Sequence, residues 1–124
     1  MKNKVLEYYY QGYNCSQCIL KAAEQKYKIP ISKQTLNLCK GVNNGFGIGG
    51  FCSVITAGIM ILGLLFDEET VKLTRLKLIN EFQEKYSSLN CSQIKKSKGE
   101  GSCEIFIVEA ADIIDRIIMY EYSK

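Results

Sequence analysis

Apolar residues recur at helical spacing through most of the chain and predict an all-helical protein. The clearest stretches run from Val5 to Tyr10, from Cys15 to about Tyr27, from Asp67 to Phe82 and from Cys103 to about Tyr122. In each stretch the apolar positions follow the i, i+3, i+4 pattern of one helix face. Alternation of β-branched residues is sparse, and Pro30 is the only proline. We therefore predict an all-α fold.

Polar residues mark where several of these helices begin. Asn14 and Ser32 each precede a helical pattern, and their side chains can accept hydrogen bonds from the first turn, as N-cap residues do. The acidic run at 67–69 also suits a helix start, because the helix macrodipole favours negative charge there. The glycine-containing stretches 41–50 and 97–102 are predicted loops.

One segment, Gly50–Phe66, is almost wholly apolar and carries no charge. Its 17 residues fall short of the roughly 20 that a membrane-spanning helix needs. We interpret it as the buried central helix of a compact bundle of about five to six helices, since helices that are apolar all round usually lie in cores. Gly58 and Gly63 would let neighbouring helices approach it closely. We expect no association with a membrane and a single domain over residues 1–124.

Composition and charge narrow the chemistry. The chain has no histidine, which excludes Ser–His–Asp and Cys–His catalysis and every histidine-containing zinc site. The net charge is only +3, and the one basic cluster (Lys95, Lys96 and Lys98) has no interleaved aromatic residues on which bases could stack. We therefore expect no nucleic-acid partner. The apolar surplus is compatible with a homodimer.

The first residues do not resemble a secretory signal, because Val5–Tyr13 contains Glu7, Gln11 and several tyrosines where an apolar core would be required. A cytoplasmic location is the default expectation. The chain has six cysteines. In a cytoplasmic protein such a number favours metal binding or redox activity over structural disulfides.

Four cysteines lie near predicted helix starts. The tetrapeptide Asn-Cys-Ser-Gln occurs twice, around Cys15 and around Cys91, while Cys52 ends a glycine-rich run and Cys103 follows Gly-Glu-Gly-Ser. A helix N-terminus stabilises negative charge and thus the thiolate, which is the reactive and metal-binding form of cysteine. The candidate redox thiols are Cys15, Cys18, Cys52, Cys91 and Cys103.

Cys15 and Cys18 form the only Cys-x-x-Cys motif. On a helix they share a face, so they could act as a dithiol or as two ligands of one metal. Cys18 is equally well explained as a small buried apolar residue. The other spacings are too long for a typical Cys₄ zinc motif. Dispersed thiols that converge in the fold could hold an iron–sulfur cluster or form reversible disulfides, and the sequence pattern leaves these two readings open.

The glycine-rich run Gly45–Gly50 leads into the Cys52 helix. No strand precedes it, so a dinucleotide-binding loop is disfavoured. Its free amides could form a concave anion site that faces cluster sulfides or a thiolate, and a tight packing turn explains the glycines about as well. The predicted cofactor-binding amides are those of Gly47, Gly49 and Gly50.

Together these motifs resemble the C_GCAxxG_C_C family, which is named for its cysteine and glycine signature. Residues 12–17 are similar to its first cysteine motif, residues 45–50 to its glycine-rich stretch, and Cys52 to the start of its central helix. Cys91 and Cys103 supply the last two cysteines. The family's Cys-Gly-Ala is Cys-Ser-Val here. The resemblance implies an all-α fold and a redox-linked activity. Similar domains are joined to multihaem cytochromes, which favours iron–sulfur electron transfer.

Three functional hypotheses follow. The first is a small redox protein in which four cysteines ligate an iron–sulfur cluster or another metal for electron transfer with an unidentified redox partner protein. The second is a thiol–disulfide oxidoreductase or redox sensor that uses the same cysteines. The third is a non-catalytic helical interaction module whose cysteines are merely buried. The sequence leaves open whether the chain is an enzyme. The predicted metal ligands are Cys15, Cys52, Cys91 and Cys103.

Overall fold

A computed structural model describes residues 1–98 and 102–124. Within them the regular secondary structure is helical, as the pattern predicts. A further segment, Gly45–Gly49, makes a wide turn between the third and fourth helices; we call it the glycine segment. The α-helices are α1 (Lys2–Tyr10), α2 (Cys15–Tyr27), α3 (Lys33–Leu38), α4 (Ser53–Leu65), α5 (Glu68–Tyr86), α6 (Cys91–Lys98) and α7 (Ser102–Tyr122).

The described part of the chain thus has slightly more helices than the five to six that the pattern predicts. Helix α6 accounts for the difference, because it is only 8 residues long and short helices leave a weak periodic signal. The predicted loop over 97–102 is also shorter than expected, since α6 continues to Lys98 and α7 begins at Ser102. The rest of that predicted loop, residues 99–101, lies outside the described residues.

The predicted helix caps are confirmed. The Asn14 side chain accepts a hydrogen bond from the backbone N–H of Gln17, and the Gln17 side chain accepts one from the backbone N–H of Asn14. This reciprocal capping box satisfies two amides that the first turn of α2 would otherwise leave unpaired. Ser32 and Asp67 cap α3 and α5 in the simpler way, each accepting a hydrogen bond from an amide three residues on.

Helix α4 occupies the centre of the bundle, where it packs against α2, α5 and α7. Ile55, Ala57, Ile61 and Leu62 are buried along it, so the predicted buried central helix is confirmed. Its C-terminal end reaches the surface, where Leu64 is more than half exposed. In the part of the chain that the structure describes, no helix combines the length and the apolar character that a membrane crossing requires.

The ends of α2 and α7 are tied together by a partly buried carboxylate. Lys26 Nζ lies 2.6 Å from Asp115 Oδ2, and the Tyr27 hydroxyl donates to Asp115 Oδ1. Burial by itself raises the pKa of Asp115, but the hydrogen bonds from Lys26 and Tyr27 outweigh it and leave that pKa below its usual value. The clamp holds together two helices that each begin at or next to one of the candidate cysteines.

The two glycines of α4 differ in their surroundings. A Cβ on Gly58 would lie 2.9 Å from Ile114 Cδ1 and 3.1 Å from Leu78 Cδ2, so Gly58 permits the close approach of α7 and α5. A Cβ on Gly63 would meet no atom within 4 Å. The expected packing role is therefore confirmed for Gly58 and wrong for Gly63, because the latter lies on the exposed side of the helix.

This difference gives a matched pair of substitutions. We expect Gly58→Ala to lower the free energy of unfolding by about 1–3 kcal/mol, because the added methyl group overpacks the core. Gly63→Ala should raise it by up to about 1 kcal/mol, because alanine is the better helix former in open space. Urea unfolding of both variants and the wild-type protein measures the two effects. Equal effects of the two substitutions would contradict the packing role of Gly58.

Candidate functional site

Four cysteines from four helix starts line one cavity. Cys15 and Cys91 are the first residues of α2 and α6, Cys103 is the second residue of α7, and Cys52 immediately precedes α4. The predicted position of each cysteine at a helix start is thereby confirmed. We call this space the cysteine cavity. Its other lining residues are Asn43, Asn44, Ser53, Val54, Ile94, Lys95 and Phe106.

Two of these cysteines are held side by side by backbone hydrogen bonds. The segments that precede α4 and α6 pair as a short antiparallel bridge. The amide of Cys91 donates to the carbonyl of Gly50 at 2.7 Å, and the amide of Cys52 donates to the carbonyl of Leu89 at 2.9 Å. The starts of α4 and α6 are therefore fixed next to each other, independently of any side chain.

The start of α2 is held against the chain that leads to the glycine segment. The Asn14 side-chain amide donates to the carbonyl of Cys39 at 3.2 Å, and that of Gln17 donates to the carbonyl of Leu36 at 2.9 Å. The residues that cap α2 thus also anchor it to the end of α3. This second role keeps Cys15 close to the residues that close the other side of the cavity.

The glycine segment packs on α6 through two side-chain hydrogen bonds. Lys95 Nζ donates to Asn44 Oδ1 at 2.7 Å, and Ser92 Oγ donates to the carbonyl of Gly49 at 3.1 Å. Gly49 has a φ of +71°, and a Cβ there would lie 2.7 Å from Ser92 Cβ. The contact therefore requires glycine both for its backbone conformation and for its lack of a side chain.

The glycines predicted to bind a cofactor lie beside the cavity and are not among its lining residues. Gly50 uses its amide within the turn, where it donates to the carbonyl of Gly45 at 3.0 Å, and Gly47 is exposed. From the same stretch Asn43 and Asn44 line the cavity instead. That Gly47, Gly49 and Gly50 contact a cofactor remains a prediction.

Burial controls the acidity of the two inner thiols. It raises the pKa of Cys15 to about 12, with further raising by the neighbouring Cys103 and Cys52 and lowering by Lys95. Burial also raises the pKa of Cys52 to about 11, although amide hydrogen bonds from the first turn of α4 lower it. The first-turn amides thus act on Cys52 in the expected direction, but desolvation outweighs them, as it outweighs the charge of Lys95 at Cys15.

The donor chemistry of the cavity fits a thiophilic metal. Four sulfur atoms line it, and no carboxylate is among the described lining residues; thiolates select zinc, copper(I) and iron–sulfur clusters, whereas calcium and magnesium require oxygen ligands. The cavity is small. The space open to the centre of a water-sized sphere is about 20 Å³, which is enough for roughly one water molecule. Within residues 1–98 and 102–124, no group of three or more His, Cys, Asp or Glu is placed to hold a metal ion. A cluster of several atoms would thus require the cavity to widen.

The remaining two cysteines belong to the core. Cys18 is fully buried, and its Sγ donates to the carbonyl of Tyr13 at 3.5 Å, while burial raises the pKa of the thiol to about 12. Cys39 is 2% exposed, and its Sγ donates to the carbonyl of Thr35 at 3.7 Å. Neither lines the cysteine cavity, and all six cysteines are free thiols. The Cys-x-x-Cys spacing therefore does not bring Cys18 into the site.

The sequence pattern did not predict several of the residues that line the cavity. Lys95 lies four residues after Cys91, and Phe106 lies three residues after Cys103. Residues at these spacings share a helix face, so the periodicity could have identified both. The sequence carries no comparable signal for Asn43 and Asn44, which reach the cavity only because the glycine segment folds onto α6.

Comparison with known protein families gives a match over most of the chain. A family model described as "Putative redox-active protein (C_GCAxxG_C_C)" matches residues 13–117. The matched range includes all four cysteines that line the cavity, the glycine segment and the central helix. No curated protein and no solved structure shows significant similarity to the chain.

We expect Lys95 to make the inner thiols more acidic. Replacing it by glutamine removes a charge that lowers the pKa of Cys15 and of Cys52. Alkylation of these thiols at pH 9 in the native state should then slow by about two- to fivefold, the effect of roughly 0.4–1 kcal/mol of charge interaction. Mass spectrometry of each labelled cysteine measures the rate. Lys96→Gln on the same helix is the control, and an equal effect of both variants would contradict a local role of Lys95.

The packing of the glycine segment on α6 gives a second pair of variants. Gly47→Ala and Gly49→Ala both place alanine at positive φ, but only the Cβ at position 49 meets Ser92. In metal-free, reduced protein, Gly49→Ala should therefore lower the free energy of unfolding by about 1–3 kcal/mol more than Gly47→Ala. Urea unfolding measures this difference. Equal destabilisation would show that the backbone conformation alone requires glycine.

Proposed function

Since the chain belongs to the C_GCAxxG_C_C family of redox-active proteins, we propose that the four thiols of the cysteine cavity form its redox centre. They ligate an iron–sulfur cluster or another thiophilic metal, and the centre transfers electrons. The metal, when bound, supplies the change of oxidation state. The chain supplies four ligands, the surrounding apolar residues and the positive charge of Lys95.

The observation that carries this proposal is the convergence of the four thiols on one cavity. The four thiols come from the starts of four different helices, at positions 15, 52, 91 and 103, yet they line the same small space. A core that needed only small apolar residues would not require them at four helix starts. Cys18 and Cys39, which do serve as core residues, lie elsewhere.

The acidity of the inner thiols favours metal binding over nucleophilic chemistry. With pKa values raised to about 12 and 11, Cys15 and Cys52 are protonated at neutral pH and poor attacking thiolates. A metal cation changes this balance, because binding displaces the thiol protons and neutralises the mutual repulsion of the thiolates. Each of the four cysteines is an N-terminal or near-N-terminal helix residue, so helix dipoles add favourable potential once the thiolates form.

Thiol–disulfide chemistry among the same cysteines is the second candidate. It is favoured by the small volume of the cavity, which leaves the thiols little space for a guest of several atoms. Oxidation of two thiols to one disulfide would release two electrons and two protons to an oxidising partner dithiol–disulfide protein. Cys52 is buried, whereas Cys15, Cys91 and Cys103 are partly exposed, so one of these three would make the first attack on the partner disulfide.

The test is metal and sulfide analysis of protein purified without oxygen, together with its visible absorption spectrum. We expect bound iron and acid-labile sulfide in the wild-type protein. Cys52→Ala and Cys91→Ala should each lower the bound iron by more than about tenfold, because each removes a ligand. Cys39→Ala is the control, since Cys39 is a buried cysteine outside the cavity, and it should retain the iron.

The outcomes separate the candidates. Colourless, metal-free protein from a preparation that preserves clusters, with a free-thiol count that drops reversibly by two on mild oxidation, would establish the disulfide reading. Equal metal content in Cys52→Ala and the wild-type protein would contradict the proposed ligand set. Circular dichroism of each variant distinguishes loss of the metal from loss of the fold.

A further inference from the structure

Exposed apolar side chains lie on the same stretch of chain as two residues that line the cysteine cavity. Leu38, Phe46 and Ile48 are 72%, 59% and 85% exposed. They flank Asn43 and Asn44, which line the cavity. Packing of the core does not explain them, because little of their surface is buried within this chain. Large apolar residues that remain in water next to a site commonly serve contact with a partner.

The conformation of Phe46 adds to this argument. Its φ is +63°, in the left-handed region, and the neighbouring Asn44, Gly45 and Gly47 also have positive φ. A bulky side chain in this region costs roughly 1–2 kcal/mol. A glycine would remove that cost without loss of core packing. The strained, exposed aromatic ring is therefore better explained by contact with another molecule than by folding.

Positive charge accompanies these apolar residues. Lys40, Lys95 and Lys96 are exposed, and Lys95 is bonded to Asn44 of the same surface. The chain has no Asp or Glu in residues 25–66 or 85–98. The acidic residue that follows Cys103, Glu104, accepts a hydrogen bond from the Tyr10 hydroxyl at 2.6 Å. Apolar contact area and exposed lysines thus occur together on residues 38–48 and on α6, while Glu104 is the acidic residue beside Cys103.

We propose that this surface docks an acidic one-electron carrier protein. We call it the docking surface, and its residues are Leu38, Lys40, Phe46, Ile48, Lys95 and Lys96. The lysines would steer a negatively charged partner, and the apolar side chains would exclude water from the contact. This inference rests on the proposed redox function: one electron leaves the reduced carrier and enters the cysteine centre, and no bond forms or breaks at the interface.

Other occupants fit the surface less well. A second copy of this chain, docked through the same face, would oppose lysines to lysines, which disfavours a symmetric dimer here. An anionic lipid surface would match the charge, but lipids carry no electron to a redox centre. A protein that carries both an acidic patch and a redox cofactor satisfies both requirements.

The test uses anaerobically purified protein and an acidic plant-type [2Fe–2S] ferredoxin as the probe. Calorimetric titration measures binding, and stopped-flow absorbance measures electron transfer. The double variant Lys40→Glu/Lys96→Glu should weaken binding and slow electron transfer by about tenfold or more at low salt, and high salt should weaken binding of the wild-type protein. Phe46→Ser/Ile48→Ser should weaken binding without changing its salt dependence.

The matched control reverses two lysines on another helix. Lys72→Glu/Lys77→Glu on α5 makes the same change in net charge and should alter both measurements by less than about twofold. No variant should change the visible spectrum, because none of the replaced side chains lines the cavity. The spectrum reports on the centre itself, so failure of the proposed redox function is recognised separately from failure of docking.

Several results would overturn the docking proposal. They are the absence of ferredoxin binding to the wild-type protein, equal effects of the α5 control and the docking variant, and binding to vesicles of anionic phospholipid in place of ferredoxin. A dimer in sedimentation that Phe46→Ser/Ile48→Ser dissociates would likewise assign the surface to a second copy of the chain. If this protein contains no redox-active centre but its binding of ferredoxin responds to the lysine variants, the docking proposal is supported and the proposed redox function is refuted.

Discussion

The geometry of the cysteine cavity depends on two backbone hydrogen bonds. They join the segment before α4 to the segment before α6, at the carbonyls of Gly50 and Leu89. Most contacts in a helical bundle are made by side chains along helix faces, which leaves the positions of helix ends loosely defined. Here a strand-like pairing fixes two helix starts directly, so that Cys52 and Cys91 are neighbours in a chain whose helices otherwise pack by their apolar faces.

At the start of α2, polar side chains make both a helix cap and a contact with another part of the fold. Asn14 and Gln17 cap α2 and also anchor it to the end of α3, and Ser92 and Lys95 project from α6 onto the glycine segment. A local cap thus becomes a tertiary contact at no additional loss of chain entropy, since the residues are already ordered by the helix start. The repeated Asn-Cys-Ser-Gln is explained in the first copy by this capping role, which places each motif residue around Cys15.

Burial and the amides of a helix start act on the Cys52 thiol with opposite sign. The amides at the start of α4 lower the pKa of Cys52, yet its removal from water raises that pKa by more. The thiols of Cys15 and Cys52 are therefore protonated at neutral pH and poor nucleophiles. A cation that enters the cavity would gain four thiolates at once, which links metal binding to proton release.

The amino-acid pattern is enough to predict most of the helices, their caps and the placement of four cysteines at helix starts, because capping and amphipathic spacing involve residues within one or two turns. It also indicated the buried position of α4. Which cysteines meet, why Cys18 stays in the core and why Asn43 and Lys95 line the cavity depend on how the helices pack. The acidity of Cys15 depends on this packing too, since desolvation comes from residues far away in the chain. The hydrogen bonds of a helix cap join residues that are close in sequence, whereas burial arises from the packing of the whole bundle.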